Sequence, residues 1–564
     1  MKPAVAWLKT YSGSAFVKDL IAGLVLSILL VPQAMAYAQL AGLPPETGLF
    51  AALFPPILYA IFGSSLYVSL GPVALVSLIV ADATAGSDPA GVTIIALQAG
   101  AILCTIGALG LGRLVNFISE PALLGFTAAA AVLIAFSQLP TLLGITTDRA
   151  GDLPTALSGL LNSIGELEGT TAIIGIVATV LLLILGKFAA PALWKIGLHP
   201  PWRQAVAKSL PLLVIIGAAL LAARLNDVAT VEPISGGLPT IPWPLGDLDL
   251  WVALLPSSLA VAVIIFVTAT AVSKSLAGSD RRALDSSREA FAVGAGNIVA
   301  AMTGGYAVGA SLSRSALVEE SGAVSPIASV VASGVVLLTL LLLAPLLAYL
   351  PTTALAALVI SAVFGLIKVR AIRSVWRHDR LEGWIIIVCF LATLAFGVRM
   401  GLLIGASVSL IHHLWFSSVP RVTRVGTDDG GVSFRSIDRD DVMLETLPVL
   451  VLRIDRSIFF GNAEFVEDEI NKLMGRHEEV TCLVLDMRAV NDIDASGAAM
   501  LDRLAQRLRL KHVTLHFAAV HQPVYHRLSS LADTGFKCHR TVGKAVADCG
   551  VELDHYVEPA ETEE

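Results

Sequence analysis

The stretch "VGASLSRSALVEESG" (residues 308–322) is a run of small residues that leads into a helix-like segment and carries Arg314 at its centre. Its part "ASLSRSALV" (310–318) aligns with "VSLGPVALV" (68–76), because both read Ser-Leu-x-x-x-Ala-Leu-Val. The first copy has Pro72 where the second has Arg314. The sequence therefore indicates an internal repeat in which only one copy carries a charge.

The composition is that of a membrane protein. The chain has 564 residues, of which 55% are hydrophobic and only 15% charged, with a mean hydropathy of +0.77. Soluble domains contain about 25% charged residues. The net charge of −7 gives no basis for nucleic-acid binding. No nucleophile–base pair, metal cluster or phosphate loop is recognisable, so we expect a transporter-like protein in the lipid bilayer and not an enzyme.

Apolar windows of spanning or near-spanning length run from about residue 19 to residue 418 and number about fourteen. The windows around 73–84 and 313–323, which carry the repeated motif, are too short to cross a bilayer. We predict a cytoplasmic N-terminal segment (1–18), a transmembrane domain (19–418), a polar linker (419–444), a soluble domain (445–555) and an acidic tail (556–564).

A second pair of matching stretches supports the repeat. "VPQAMAYAQLAG" (31–42) and "VTATAVSKSLAG" (267–278) share an initial Val and a final Leu-Ala-Gly, at nearly the same separation as the first pair. We place repeat one at about 19–226 and repeat two at about 251–418, with seven spans each. An odd number of spans inverts the second copy in the membrane, and inverted repeats are typical of secondary transporters.

Loop charge predicts the orientation of the chain. The loop "KVRAIRSVWRHDR" (368–380) is rich in Lys and Arg, whereas "NDVATVEPISGGLPTIPWPLGDLDL" (226–250) has four acidic residues and neither Lys nor Arg. Because basic loops stay on the cytoplasmic side, both termini are expected in the cytoplasm. The five cysteines show no C-x-x-C spacing, so the sequence predicts neither a disulfide framework nor a zinc site, and no cofactor.

The repeated motif predicts an anion site. Gly71 and Pro72 precede an apolar helical run, and Ser311 or Ser313 can cap the helix that carries Arg314. In inverted repeats, the two short helices direct their partly positive N-termini toward each other, and Arg314 adds a full charge. The alternative is that Arg314 is a structural ion-pair partner. Its possible partners in that case are Glu319, Glu320 and Asp82.

Gln33 and Tyr37 lie one helical turn apart in "VPQAMAYA" and are candidates for the same cavity. Gln33 follows Pro32 in mid-span and offers amide donors to an oxyanion, while Tyr37 offers a hydroxyl. For Tyr37, ordinary helix packing is an equally good interpretation.

With these residues in view, the chain resembles the SulP anion-transporter family. The stretches "DLIAGLVLSILLVPQAMAYAQLAGLPPETGLFAALFPPILYAIFGSS", "SLGPVALVSL", "RLVNFISEPALLGFTAAAAV" and "GNIVAAMTGGYAVGASLSRSAL" look like its first to fifth and ninth to tenth helices. The resemblance implies two intertwined seven-helix inverted repeats, divided into core and gate domains, and a homodimer. It implies an anion bound between the third and tenth helices and lined by the first and eighth. The implied lining residues are Gln33, Tyr37, Val73, Ala74, Leu312, Ser313 and Arg314.

The soluble part resembles the STAS domain that ends SulP proteins. "VLVLRIDRSIFFGNAEFVEDEINKLM" reads as strand, strand and helix, the stretch from Val480 to Leu510 as strand, loop and helix, and "VTLHFAAV" as a further strand. "DIDASGAAML" looks like the loop that STAS proteins use for regulation, so Asp494 and Ser496 are candidate regulatory residues. The simpler interpretation, which we favour, is that one of them caps the following helix.

One position departs from the family pattern. Many coupled members carry a glutamate in the eighth helix facing the anion, and the alignment places Thr268 there. A neutral hydroxyl does not take up a proton at physiological pH. Coupling to protons, to sodium or to no ion therefore stays open.

The resulting prediction is a secondary transporter of small inorganic anions in the bacterial inner membrane, working by an elevator-like movement. Sulfate is favoured because it is the family's commonest bacterial substrate. The alternatives are a bicarbonate transporter and an uncoupled exchanger or channel-like protein. A nucleobase permease of the same fold is disfavoured by the STAS domain and the Ser-x-Ser-Arg entry.

Overall fold

The computed structural model describes residues 7–8, 11–84, 90–117, 119–147, 151–195, 197, 202–225, 228–234, 248–277, 284–437, 446–477, 479–529, 537–551 and 553. The predicted acidic tail, residues 438–444 of the predicted linker and most of the acidic loop at 226–250 lie outside these residues. The chain divides into two compact units, Met1–Ser409 and Leu410–Glu564.

The first unit is almost entirely helical. Two very short strands interrupt the helices: β1 (Leu70–Gly71) and β2 (Gly309–Ala310). The helices are α1 Gly13–Leu40, α2 Pro45–Ala51, α3 Pro55–Phe62, α4 Ala74–Thr84, α5 Ala90–Ala108, α6 Glu120–Leu143, α7 Leu153–Asn162, α8 Gly169–Lys195, α9 Trp202–Ala222, α10 Leu248–Ser275, α11 Ser286–Met302, α12 Leu312–Glu320, α13 Ile327–Leu338, α14 Ala344–Leu347, α15 Thr352–Val363, α16 Val369–His378 and α17 Arg380–Ser418.

Within the described residues, nine helical segments are long and apolar enough to cross a membrane, and two further apolar helices are shorter. The nine are Gly13–Leu40, Pro45–Phe62, Ala90–Ala108, Glu120–Leu143, Gly169–Lys195, Leu248–Ser275, Ile327–Leu347, Thr352–His378 and Arg380–Ser418. This confirms a multi-pass helical membrane protein, while the total of about fourteen spans stays a prediction.

The longest segment, α17, reverses direction at Gly397. That residue has φ 81° and ψ 174°, in a region that only glycine adopts readily. Cys389 and Gly401 lie on either side of it, and the Cys389 thiol lies 3.7 Å from the Gly401 carbonyl oxygen. The two halves of α17 therefore run back along each other as a hairpin, so this one segment supplies two antiparallel helices.

The helices that support the repeated motif pack very closely. A Cβ atom on Gly100 of α5 would lie 2.8 Å from the carbonyl oxygen of Gly294 in α11, and one on Gly294 would lie 2.6 Å from the Cys104 amide nitrogen. Small residues at such contacts let helix backbones approach in lipid, where packing replaces the hydrophobic effect. Helix α11 is thereby fixed against α5.

Helix α11 in turn holds the chain that enters β2. Asn297 is fully buried; its Oδ1 accepts a hydrogen bond from the Val308 amide at 2.9 Å, and its Nδ2 donates to the Val308 carbonyl at 3.0 Å. A buried amide that pairs with both backbone groups of one residue leaves neither of them unsatisfied. Asn297 thus fixes the position of the strand just before Arg314.

The repeated motifs meet as strands. β1 pairs with β2 in antiparallel register, Leu70 with Ala310 and Gly71 with Gly309. Antiparallel pairing of equivalent stretches is what an inverted repeat requires here. The short helices α4 and α12 follow the strands, as the sequence predicted. Pro72 lies before α4 and not in its first turn, because the first helical hydrogen bond runs from Ser77 N to the Val73 carbonyl at 3.0 Å.

The second unit is a six-stranded sheet with helices on both faces. The strand order is β4-β3-β5-β6-β7-β8, in which β5 to β8 are parallel and β3 and β4 antiparallel. The strands are β3 Val422–Gly426, β4 Arg435–Ser436, β5 Val449–Ile454, β6 Cys482–Asp486, β7 Thr514–Ala518 and β8 Lys537–His539. The helices are α18 Ala463–Met474, α19 Ala495–Leu510, α20 Gln522–Ser529 and α21 Val542–Asp548.

Alternating side chains of β5 and β6 build two separate cores in this unit. Leu450 and Leu483 face α18, α19 and α20, whereas Val451 and Val484 face α21. The α/β architecture is as predicted. Two details differ: the described part of the predicted linker forms β3 and β4, and in place of the second strand predicted within 449–474 there is one isolated bridge, between Ile458 and Ile493.

The expectation of no disulfide is wrong for one pair of cysteines. Cys482, at the start of β6, and Cys549, directly after α21, form a disulfide although 67 residues separate them. Linear spacing gives no sign of this pair, because parallel strand order and the return of α21 over the sheet bring the two residues together. Cys104, Cys389 and Cys538 are free.

Candidate functional site

Arg314 lies in the first turn of α12. Ser311 caps this helix, and its Oγ accepts a hydrogen bond from the Arg314 amide at 3.5 Å, so the first of the two predicted capping serines is the one used. From this position the Arg314 side chain runs inward and is completely buried, with 0% exposure. The start of α12 therefore directs a full positive charge into the interior of the helical unit.

The guanidinium of Arg314 is only partly satisfied. Its Nη1 donates to the Pro72 carbonyl oxygen at 2.8 Å, whereas Nε and Nη2 have no hydrogen-bond partner among the described residues. Within that same part of the chain, no salt bridge joins Arg314 to a carboxylate, and Glu319 and Glu320 are exposed. The structural ion pair that the sequence left open is therefore not found there.

Gly71 makes room beside the arginine. A Cβ atom at this position would lie 3.4 Å from Nη2 of Arg314 and 3.7 Å from a methyl group of Leu30. Because glycine has no side chain, the backbone of β1 comes close to the unpartnered nitrogen. The space beside Gly71 therefore lies next to the Nη2 edge of the guanidinium, which has no hydrogen-bond acceptor among the described residues.

Gln33 and Tyr37 lie on α1, the helix that places Leu30 beside Gly71. Both are buried, and the Gln33 Oε1 has no hydrogen-bond partner among the residues described. Tyr37 and Tyr306 lie near enough to Arg314 to interact with its charge. Unsatisfied polar atoms are rare in protein interiors and mark places where a ligand or water belongs.

Four helices meet around the two short strands. Helix α1 packs on α4 and α12, and α10 packs on α4 and β2. These are the helices that carry the predicted lining residues. Ala74 is buried and Val73 half-buried at the start of α4, while Leu312 and Ser313 at the start of α12 are exposed.

Thr268 of α10 does not offer its hydroxyl to the site. Its Oγ1 donates to the Ile264 carbonyl at 2.7 Å and to the Ile265 carbonyl at 3.2 Å, both within its own helix. The side chain is half-buried. The hydroxyl hydrogen of Thr268 is therefore used by its own helix backbone, and a place for Thr268 at the anion site stays a prediction.

Sequence reasoning did not single out Tyr306. This residue is fully buried in the segment before β2, and its hydroxyl lies 2.8 Å from the Ser77 Oγ of α4. Ser315 also links the repeats, since its Oγ accepts from the Ser69 amide at 2.9 Å. A tyrosine within an otherwise tiny-residue stretch, "TGGYAVGAS", is a signal that could have identified Tyr306.

The arrangement suits a small anion. A buried guanidinium with free N–H groups, placed at the starts of two short helices, offers charge-assisted donors in a region of low dielectric. Such donors are stronger than neutral ones, and an unpaired buried charge is expensive. An anion that fills the space beside Gly71 would satisfy Nη2 of Arg314, which has no partner in the described part of the chain.

In the second unit, Asp494 is the N-cap of α19. Its Oδ1 accepts from the Gly497 amide at 2.8 Å, and its Oδ2 accepts from the Phe460 amide at 2.8 Å. Ser496 lies in the first turn of α19 and is exposed. The capping interpretation therefore describes Asp494, and regulation at Ser496 stays a prediction.

The sequence profile of the sulfate permease family matches residues 16–389, and that of the STAS domain matches residues 442–548. The chain belongs to the sulfate permease family. This is a family of transporters and not of enzymes, so the membrane unit serves anion transport.

Relatives in this family match almost the whole chain. Sulfate transporter 4.1, chloroplastic, of Arabidopsis thaliana is 31% identical over 93% of this chain and 78% of its own length. Sulfate transporter 1.3 of the same plant is 30% identical over 98% of this chain and 88% of its own length.

Solved structures of this architecture show the same fold. The murine solute carrier 26 family member A9 anion transporter, in an inward-facing state, matches with a TM-score of 0.84 at 21% identity, over 93% of this chain and 89% of its own. The transmembrane domain of the cyanobacterial bicarbonate transporter BicA matches with a TM-score of 0.58 at 18% identity, over 71% of this chain and 98% of its own. The chain thus shares its fold with these two anion transporters.

Proposed function

We propose that this permease is a secondary transporter that moves sulfate, or a closely similar small inorganic oxyanion, across the bacterial inner membrane. The observation that carries the proposal is Arg314, which is fully buried, has two nitrogens without a described partner and lies at the junction of the repeated motifs. A tetrahedral oxyanion presents several acceptor oxygens, which match these donors and the free amides at the two helix starts.

The proposed site consists of the residues that the sequence predicted around the repeated motif. Arg314 supplies the charge, Gly71 and Pro72 give the anion access to it, and Gln33 and Tyr37 border the cavity from α1. The remaining proposed residues form the wall of the cavity or contribute backbone groups to it. They are Val73, Ala74, Thr268, Ser311, Leu312 and Ser313.

Sulfate is preferred because the relatives at about 30% identity over nearly the whole chain are named sulfate transporters. Transport by an elevator-like movement of a core domain against a gate domain, a homodimeric assembly and cytoplasmic termini complete the proposal. They rest on the family resemblance and on the charge of the loops.

The second candidate is a bicarbonate transporter, or an uncoupled anion exchanger or channel-like protein of the same family. It is favoured by α10, in which Asp249 at the first turn is the one acidic residue, while Thr268 occupies the position expected to face the anion. A helix without a carboxylate at that point offers no group there to carry a proton with the substrate.

The deciding experiment is uptake of labelled sulfate and of labelled bicarbonate by the purified protein in liposomes. Each is measured with a proton gradient, with a sodium gradient and with neither. Sulfate uptake that saturates and exceeds bicarbonate uptake supports the proposal. Bicarbonate uptake alone favours the second candidate, and uptake of neither anion contradicts both.

A further inference from the structure

Four side chains with metal-binding atoms converge on one face of the sheet in the second unit. Cys482 opens β6, His516 lies in the middle of β7, His539 ends β8, and Cys549 follows α21 directly. The parallel register pairs His539 with Ala518, so His516 and His539 lie on the same face of the sheet. Helix α21 covers that face.

The donor atoms are close together. The Cys549 Sγ lies 3.4 Å from the His516 Nδ1, and the His516 Nδ1 lies 3.1 Å from the His539 Nε2. The ligand atoms of Cys482, His516 and Cys549 all lie within 4.8 Å of one another. Around a tetrahedral zinc ion, with bonds of about 2.3 Å to sulfur and 2.0–2.1 Å to nitrogen, such atoms are separated by roughly 3.3–3.8 Å.

The orientation of His539 is that of a metal ligand. Its Nδ1 lies 3.3 Å from an Oδ2 of Asp548, and its Nε2 faces His516. A carboxylate that accepts the proton of one ring nitrogen leaves the other nitrogen free to bind a metal. Asp548 is the last residue of α21, so the same turn supplies this carboxylate and the thiol of Cys549.

The surroundings are those of a structural site. Cys482, His516 and His539 are 2%, 4% and 9% exposed, and Cys549 is half-buried. The neighbours are apolar and include Val484 and Val546. The two imidazole rings are stacked with their centroids 4.9 Å apart, and the facing nitrogens, His516 Nδ1 and His539 Nε2, lie 3.1 Å apart.

We propose that the reduced form of this cluster binds one zinc-class divalent metal ion through Cys482, Cys549, His516 and His539. The disulfide in the structure is then the metal-free, oxidised form of the same site. A dithiol reductant converts one form to the other by supplying two electrons and two protons, which open the S–S bond to two thiols while the reductant becomes a disulfide. Each thiol releases its proton when its sulfur binds the metal.

Two thiolates and two imidazoles are the ligand set of closed, four-coordinate zinc sites. The predicted location of this unit in the cytoplasm favours the reduced form, because thiols there are kept reduced. Bound metal links α21 to β6, β7 and β8, whereas the disulfide links α21 to β6 alone. The site therefore holds α21 against the sheet in either state.

The test uses the full-length protein in detergent. One sample is reduced with a phosphine and desalted without oxygen, another is kept oxidised, and both are equilibrated with zinc and freed of excess metal. Zinc per chain is then measured by mass spectrometry. A parallel titration of the reduced protein with cobalt reports thiolate ligands by charge-transfer absorption and four-coordination by intense visible bands. The variants are Cys549→Ser, His516→Asn and, as the matched control, Cys538→Ser, which removes a free thiol next to His539.

We expect one zinc ion per reduced chain, none in the oxidised chain and at least a tenfold loss of affinity in C549S and H516N, with binding unchanged in C538S. Of the two ligand variants, C549S should disturb folding less, because Cys549 is half-buried at a helix end. Hydrogen exchange of β6 and β7 checks that the sheet persists in each variant. Equal binding by oxidised and reduced protein would overturn the proposal. So would cobalt spectra without thiolate bands, or a loss of binding in C538S as large as in C549S.

Discussion

The Nη1 of Arg314 donates a hydrogen bond to the carbonyl oxygen of Pro72 at 2.8 Å, and these two residues occupy the same position in the two copies of the repeated motif. The two copies of the motif therefore contact each other at the position where one copy has a proline and the other an arginine. Proline has no amide hydrogen, so it meets the arginine through its carbonyl group alone. One neutral acceptor does not balance a buried guanidinium, and this imbalance is the physical basis of the proposed anion site.

Replacing Arg314 by alanine is expected to lower sulfate uptake by at least about tenfold, because a hydrogen bond to a charged group contributes about 1.5–3 kcal/mol and 1.4 kcal/mol corresponds to a factor of ten. Folding should persist, since the variant removes a buried and incompletely paired charge. Uptake into liposomes and size-exclusion chromatography measure the two effects. Arg224→Ala, at an exposed arginine, serves as the control. An R314A protein that no longer folds would show instead that the arginine is structural.

Gly71→Ala is expected to weaken the apparent affinity for sulfate while the maximal rate changes less. The new methyl group would lie 3.4 Å from Nη2 of Arg314, in the space that we assign to the anion. The concentration dependence of uptake separates the two effects. Gly334→Ala on α13 is the matched control, because a Cβ atom there meets nothing within 4 Å. Equal affinities in G71A and G334A would place the anion elsewhere.

Thr268→Glu is expected to make uptake dependent on pH. The ionised carboxylate would repel the anion and compete for Arg314, whereas the protonated carboxyl would do neither, so uptake should rise as the pH falls through the pKa of the new group. Thr268→Gln has the same shape without the charge and should show a flat profile. Initial rates at a series of pH values provide the measurement. A flat profile for T268E as well would mean that this position does not face the anion.

Asp494→Ala is expected to destabilise the start of α19 by about 0.5–2 kcal/mol, which is the usual effect of losing an N-cap. The variant also leaves the Phe460 amide without its acceptor, the Oδ2 of Asp494. Hydrogen exchange of the first amides of α19 in the full-length protein measures the change. Ser496→Ala, at an exposed neighbouring position, should leave the exchange unaltered. If S496A changes uptake at unaltered exchange, Ser496 has the regulatory role that the family resemblance suggests.

The features of the fold that depend on local chemistry were predictable from the sequence. Apolar length predicts membrane helices, and the shortness of the windows near 73–84 and 313–323 predicted the two short helices α4 and α12. A serine before a helix predicts a cap, which Ser311 provides. Matching letters in the two motifs predicted that they are equivalent. The antiparallel pairing of β1 with β2 agrees with that prediction.

Other features depend on which segments become neighbours, and a single sequence does not contain that information in readable form. The contact of Arg314 with Pro72, the place of Tyr306 beside Ser77 and the hairpin at Gly397 all arise from packing between elements.

By itself, then, the sequence determined that this is a multi-pass membrane protein of the sulfate permease kind, with a charged residue at one of two matched helix starts. The tertiary structure decided that the Arg314 guanidinium contacts the Pro72 carbonyl oxygen. It also decided that Nε and Nη2 of Arg314 have no hydrogen-bond partner among the described residues. It also brought Cys482, His516, His539 and Cys549 together on one face of the sheet, although the two cysteines are 67 positions apart in the sequence. The physical reason is that hydropathy and capping act over one helical turn or one span. Hydrogen-bond satisfaction and ligand geometry are set by atoms that only the folded chain brings within 3–4 Å of one another.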